Sequence, residues 1–273
     1  MHIALLSAGM ALATTAYMIA PGRASALMRE KFYGHNWAHR GLHNIENGIP
    51  ENTMAAFRAA KEQGFGIELD LQLTADGQVV VFHDMDLNRQ CGTDANLSSL
   101  TYDELQEYTI CGTQERIPLF SEVLKVLDGK VPLLVEIKPG SPDRGTLCAK
   151  ALELMRGYKG TLCMESFDPR IVAWFRKHAP DILRGQLTMK AFKDEFDRNI
   201  KDKLCGYALS HVFLNFLSRP HFIAHRLEKK TLCVRLAEMM GAMRFAWTSR
   251  QPGNEQFFDG VIFEGYLPEP RYE

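Results

Sequence analysis

Two runs of alternating apolar and polar residues flank Asp76-Gly77, one from Ile67 to Thr74 and one from Gln78 to His83. Asp-Gly between alternating runs predicts a tight hairpin. A two-residue Asp76-Gly77 loop sets Asp70 opposite His83. Side chains alternate faces along a strand, so Ile67, Leu69, Leu71, Leu73, Val80 and Phe82 form one face. The other carries Glu68, Asp70, Gln72, Thr74, Val79, Val81 and His83. Two acids and a histidine at one end of a strand face suggest a site.

From about residue 32 onward the patterns alternate between strand and helix. Strands are expected at Asn36–His39, the first hairpin arm, Pro132–Ile137, Thr161–Met164, Leu183–Leu187, Tyr207–Phe213, Arg244–Thr248 and Gly260–Phe263. Helices are expected at Glu51–Gln63, Leu119–Asp128, Asp143–Gly157, Asp168–His178, about Lys190–Leu204 and about Pro220–Met240. Within Asp84–Ile117, a long irregular stretch, Thr101 and Glu104 form a capping-box pattern. Eight strands with helices between most of them predict an α/β fold, a distorted (β/α)8 TIM-type barrel with an insertion after the second-strand hairpin. An open doubly wound sheet is the alternative, weakened by the lack of a Gly-x-Gly-x-x-Gly run after the first strand. The expected organisation is an apolar N-terminal segment and linker over residues 1–31, then a barrel over 32–273 with its insertion at about 84–117.

The N-terminal segment changes the picture of where the protein works. Ile3 to Ala20 carries no charge, and eighteen helical residues reach about 27 Å, close to a bilayer's hydrocarbon thickness. Arg23, Arg29 and Lys31 follow it, so the positive-inside rule favours an uncleaved anchor with the barrel in the cytoplasm. Ala24-Ser25-Ala26 resembles a signal-peptidase site, which keeps open a secreted or extracytoplasmic protein. A helix packed on the domain is the third reading. The chain's net charge of -1 over 273 residues gives no basic groove for nucleic acid. Six scattered cysteines without a Cys-x-x-Cys pair argue against structural zinc and for free thiols. No protein partner is expected.

In a closed β/α barrel the reactive groups gather at the C-terminal ends of the strands. There the sequence places His39-Arg40, Glu68 and Asp70, His83, Glu136 with Lys138, and Trp247, while Glu51 opens the first helix toward the same mouth. Glu68, Asp70 and Glu136 are hard oxygen ligands suited to one divalent cation, Mg²⁺ or Ca²⁺. Arg40 and Lys138 can hold phosphate oxygens, and His39 and His83 can act as an acid–base pair near neutral pH. Together these groups describe phosphodiester cleavage.

The same residues resemble the glycerophosphodiester phosphodiesterase family. The resemblance rests on His39-Arg40-Gly41, Pro50-Glu51-Asn52-Thr53, Glu68-x-Asp70, Thr74-x-Asp76-Gly77, His83-Asp84, Leu87-x-Arg89, Ile117-Pro118 and Glu136-Ile137-Lys138. Ser166-Phe167, Trp247-Thr248 and Asp259-Gly260-Val261-Ile262 are weaker echoes. It implies a distorted (β/α)8 barrel that hydrolyses glycerophosphodiesters to glycerol 3-phosphate and an alcohol. By resemblance His39 and His83 are the acid–base histidines, and Glu68, Asp70 and Glu136 are the metal ligands, with Glu51 near them. Arg40 and Lys138 contact phosphate, and Trp247 and Glu51 belong with the substrate-binding residues. Asp84–Ile117 matches an insertion that walls the glycerol side of the pocket. The chain departs from the family pattern at Ser249-Arg250 and at Phe263-Glu264, departures expected to bear on the alcohol side. Two other readings are a lysophospholipase D or phosphoinositide-type phosphodiesterase at a membrane, and a membrane-tethered binding module without catalysis.

Overall fold

Strands β1 (His35–Ala38), β2 (Gly66–Leu73), β4 (Leu133–Ile137), β5 (Leu162–Ser166), β6 (Leu183–Thr188), β7 (Phe222–Arg226), β8 (Met243–Ser249) and β9 (Gly260–Phe263) run parallel around a closed barrel in this computed structural model. The structure describes residues 2–140, 143–190 and 200–271, without the side chains of residues 2–6 and 8. Closure comes from β1, which pairs β9 on one side and β2 on the other. Strand β3 (Val79–Val81) is the antiparallel return arm of a hairpin on the upper half of β2. The expected barrel is therefore the observed fold.

Strands β2 and β4 are covered on both sides and are buried throughout. Ile67, Leu69, Leu71, Leu133, Val135 and Ile137 face outward onto the helices Met54–Gln63, Phe120–Leu127 and Arg144–Gly157. The opposite parity points into the barrel. Its lower part is filled by Trp37, Leu134, Cys163, Leu183, Phe222, Phe245 and Ile262. These rings need space on neighbouring strands, and glycine supplies it. A Cβ on Gly185 would fall 2.0 Å from the Phe222 ring, and one on Gly66 would fall 2.8 Å from the Trp37 indole.

Two expectations need correcting. The hairpin pairs Leu71 with Val81, Gln72 with Val80 and Leu73 with Val79. The loop is therefore Ala75-Asp76-Gly77, closed by Thr74 N–H to Gln78 C=O, with Gly77 in the left-handed region at φ 77°. One more loop residue shifts the register by one and swaps the faces of the return arm. Val79 and Val81 pack with Leu71 and Leu73, while Val80 and Phe82 face the other way, toward Leu87 and Leu97. Asp70 lies opposite Phe82, not His83. The second correction is the seventh strand. Tyr207–Phe213 is not a strand: the helix Ile200–Ser210 occupies most of it, and the strand is Phe222–Arg226, inside the expected Pro220–Met240 helix. Strand β7 is buried on both faces over Phe222–His225, so its sequence carries no alternation to separate it from a helix. The expected Lys190–Leu204 helix falls partly on residues 191–199, outside the described residues.

The N-terminal helix His2–Ile19 ends against the barrel. Ile19 is buried with Val212, Ile223 and Val234. Its last carbonyls would be unsatisfied; Asn215 Nδ2 donates to Ile19 O, and Arg219 Nη1 donates to Tyr17 O and Ala20 O. With no basic residue in its own last turn, the helix receives a cation from Arg219. Among the described residues no helix is long and apolar enough to cross a membrane.

Candidate active site at the barrel mouth

Above the ring-filled floor the inward side chains become acidic. Asp70, Glu136 and Glu165 lie in register across β2, β4 and β5, and Glu68 sits two residues below Asp70. Ligand oxygens of Glu68, Asp70 and Glu136 lie within 4.8 Å of one another. All three are buried. Burial, reinforced by Asp70 and Glu136, pushes Glu68 well above the ordinary carboxylate range. Burial also raises Glu136 despite Lys138 beside it. Burial works the same way on Asp70, but Lys138, His83, Arg40 and a hydrogen bond from Asn52 Nδ2 carry it well below the usual range. Lys138 Nζ stands 3.2 Å from Asp70 Oδ1 and 3.0 Å from Glu136 Oε1, without hydrogen-bond geometry to either oxygen. A set of buried, oxygen-only donors with lone pairs to spare fits a hard divalent cation.

Glu165 is the acid that sequence reading missed, because the fifth strand was expected to stop at Met164 and runs on to Ser166. Its Oε2 has no hydrogen-bond partner, and burial followed by repulsion from Glu68 raises it well above the usual range.

Each histidine is backed by a carboxylate that is itself held by an arginine. His39 Nδ1 donates to Glu264 Oε2 at 2.6 Å, and Arg250 Nη2 donates to Glu264 Oε1 at 3.0 Å. His83 Nδ1 donates to Asp84 Oδ1 at 2.7 Å, and Arg89 Nε donates to Asp84 Oδ2 at 2.6 Å. A neutral ring bonded through Nδ1–H keeps its lone pair on Nε2. Burial holds His39 below its ordinary value, against the pull of Glu264. The two departures from the family pattern, Arg250 and Glu264, are thus one ion pair behind His39.

Arg40 and Glu51 belong to a second network. The Arg40 N–H donates to Glu68 Oε2, its Nη1 donates to Glu51 Oε1 at 2.7 Å, and its Nε lies 3.5 Å from Asp70 Oδ2. Glu51 also accepts from Arg89 and Gln90. Arg40 and Asn52 both sit in the left-handed region, at φ 54° and 55°, and are tied by Asn52 N–H to Arg40 C=O. Backbone strain of this kind, of order 1–3 kcal/mol per residue, concentrates at functional sites. Trp247 donates from Nε1 to Ala224 O and meets Phe167 edge-on at 5.6 Å.

His83 reaches the mouth by a bend, not by strand register. Strand β3 ends at Val81, and residues 83–85 turn. Gln72 fixes that turn: buried on β2, its Nε2 donates to Phe82 O at 2.9 Å and to Asp84 O at 2.6 Å. Leucine at this position would strip two carbonyls of their donor. Gln72→Leu is expected to lose about 1–3 kcal/mol of stability and to lower turnover through a misplaced His83. Urea unfolding and rate measurements on one preparation check both. Unchanged kcat would mean that the bend holds without Gln72.

The Glu264 pair makes a pH prediction. The His39 hydrogen bond takes Glu264 from an ordinary 4.5 to about 2. Because the folded value is depressed, the pair's contribution is complete above about 4.5 and is lost as pH falls through about 2. Partial exposure limits it to about 1 kcal/mol. The stability gap between the native chain and Glu264→Gln should be full near neutrality and shrink across that acid window. A gap that widens on acidification would contradict the pairing.

A sequence model of the glycerophosphoryl diester phosphodiesterase family matches residues 39–266. A glycerophosphodiester phosphodiesterase of Caldanaerobacter subterraneus is 33% identical over 191 residues, covering 66% of this chain and 76% of the relative. A lysophospholipase D of Rattus norvegicus is 37% identical over 145 residues, covering 48% of this chain but only 44% of its own length. Among solved structures, a glycerophosphodiester phosphodiesterase from Thermotoga maritima superposes with a TM-score of 0.62 at 26% identity, over 85% of this chain and 94% of that one. An Oleispira antarctica phosphodiesterase, solved with sn-glycerol-3-phosphate, shares the fold at a TM-score of 0.67 and 21% identity, over 86% of this chain and 94% of that one.

Proposed function

The chain belongs to the glycerophosphoryl diester phosphodiesterase family, and from that premise we propose that it hydrolyses glycerophosphodiesters to glycerol 3-phosphate and an alcohol, with a divalent cation and two histidines. The observation that carries this reading is the pairing at the mouth. His39 and His83 arrive from different elements, each backed by its own carboxylate and arginine, and both act electrostatically on Asp70.

Glu68, Asp70 and Glu136 would hold the cation, Mg²⁺ or Ca²⁺. When bound it neutralises phosphate charge and acidifies an oxygen it touches. Arg40 and Lys138 then bind the remaining phosphate oxygens, their positions fixed by Glu51 and by the carboxylates around Lys138. His39, kept neutral by burial, takes at Nε2 the proton of the glycerol hydroxyl beside the ester. That oxygen bonds to phosphorus as the bond to the alcohol oxygen breaks, and His83 delivers a proton to the departing alkoxide. Water then opens the cyclic phosphate with the two imidazoles in exchanged roles. Trp247, edge-on to Phe167, flanks the substrate on the β8 side.

The test is direct. The purified chain, with Mg²⁺ or Ca²⁺, should release choline and glycerol 3-phosphate from glycerophosphocholine. No release with either ion would sink the proposal.

A further inference from the structure

A second group of ligating side chains stands at the mouth, and hydrolysis uses only part of it. One ligand atom each from His39, His43 and Glu264 lies within 4.8 Å of the other two. Tight turns after β1 build the group. Gly41, at φ 80°, accepts at its carbonyl from the His43 N–H at 2.9 Å, and a Cβ on it would fall 2.9 Å from Ala56 Cβ. Only glycine fits such a turn, which folds the chain back and brings His43 beside His39. Glu264 arrives because β9 lies parallel to β1, with Phe263 opposite Ala38 and the His39 N–H donating to Phe263 O.

His43 has no part in the hydrolysis. Its Nε2 is buried without a hydrogen-bond partner, a state that is costly for a polar atom unless something meets it. Burial holds the ring below its ordinary pKa, so it stands neutral, the form that binds metals. The His39 and Glu264 side chains keep 16% and 23% of their surface exposed, which leaves an entry path. Arg250, the cation now on Glu264, is 70% exposed and can swing aside.

We propose that His39, His43 and Glu264 form an inhibitory site for Zn²⁺, separate from the three carboxylates that would hold Mg²⁺ or Ca²⁺. Its role as a brake rests on the phosphodiesterase reading above; the binding of zinc does not. Two imidazoles and one carboxylate suit Zn²⁺, with a fourth position left to water, whereas Mg²⁺ and Ca²⁺ take oxygen ligands. Tetrahedral bonds of about 2.0 Å set ligand atoms about 3.3 Å apart, so small side-chain shifts close the set. A neutral imidazole has one lone pair. Zinc on His39 Nε2 takes that pair directly; zinc on Nδ1 sends the ring proton to Nε2. Either way His39 can no longer accept the proton of the glycerol hydroxyl.

The test titrates Zn²⁺ into the full chain held in millimolar Mg²⁺, with glycerophosphocholine as substrate. It is repeated on His43→Phe, which keeps a ring and removes the ligand; His43→Gln takes its place if that variant does not fold. Micromolar Zn²⁺ should halt native turnover, and raising Mg²⁺ should give no relief. His43→Phe should turn over normally without zinc and need about 10–100-fold more for half-inhibition, a loss of metal affinity that even outer-sphere partners carry. Co²⁺, a coloured stand-in, should show the intense visible bands of tetrahedral coordination in the native chain and lose them in His43→Phe. Diester cleavage untouched by Zn²⁺, equal inhibition of both chains, or relief by Mg²⁺ would overturn the site, the last by placing zinc on the carboxylates. If no diester is cleaved, the phosphodiesterase reading fails, and the cobalt bands with calorimetric Zn²⁺ affinities of both chains still decide the site.

Discussion

Alanine at His39 or at His83 is expected to lower kcat on glycerophosphocholine by about 10²–10⁴-fold, the usual worth of one general acid or base. Both side chains sit at the mouth, each against a half-buried carboxylate rather than in the apolar core, so folding and metal binding should change little. The two variants should then differ in one respect. An aryl alcohol leaves without a proton, so a glycerophosphoaryl ester should restore the variant that lacks the acid and not the one that lacks the base. With His39 as the proposed base, kept neutral by burial, rescue is expected for His83→Ala. Rescue of His39→Ala alone would reverse the roles. Rescue of neither would break the acid–base division itself.

Removing divalent cations is expected to abolish activity, and restoring Mg²⁺ or Ca²⁺ to recover it. Glu68, Asp70, Glu136 and Glu165 share one buried space, offset in part by Lys138, Arg40 and His83. Like charges at this range disfavour each other's ionisation. A cation relieves that repulsion in the folded state alone, so it should also stabilise. At a hundredfold excess over Kd the gain is about 2.7 kcal/mol, which for a chain of this size is roughly 5–10 °C in Tm. Thermal melts with and without chelator, beside the rate assay, read both effects. Full turnover after exhaustive chelation would remove these carboxylates from the chemistry.

The barrel was legible because its outward strand residues and its helices carry ordinary periodicities, and because Thr101 caps a helix where the capping-box pattern placed it; the first helix starts at Met54, capped by Thr53, three residues later than expected. Most of the candidate site was legible for a different reason: short motifs put His39, Glu68, Asp70, Glu136 and Lys138 at strand ends. What failed was register. A three-residue and a two-residue loop both contain Asp-Gly, and only tertiary pairing separates them. The correct placement of His83 near the acids came from a wrong face assignment, offset by a bend that Gln72 holds and the alternation cannot reveal. Strand β7 was missed because a strand buried on both sides has no period of its own. The Glu264–Arg250 pair was visible as a departure from a pattern, but its partner His39 lies 225 positions away in the chain.

The plug of rings beneath the acids gives the barrel a single doorway. With Trp37, Phe222 and Phe245 closing the lower end without exposure, ion, diester, both products and every exchanged proton must pass the same rim. The deepest of these acids is Glu68, two residues below Asp70, so an ion held by Glu68, Asp70 and Glu136 would enter ahead of the phosphate and leave after it. Such a barrel would load in order, as a bottle does.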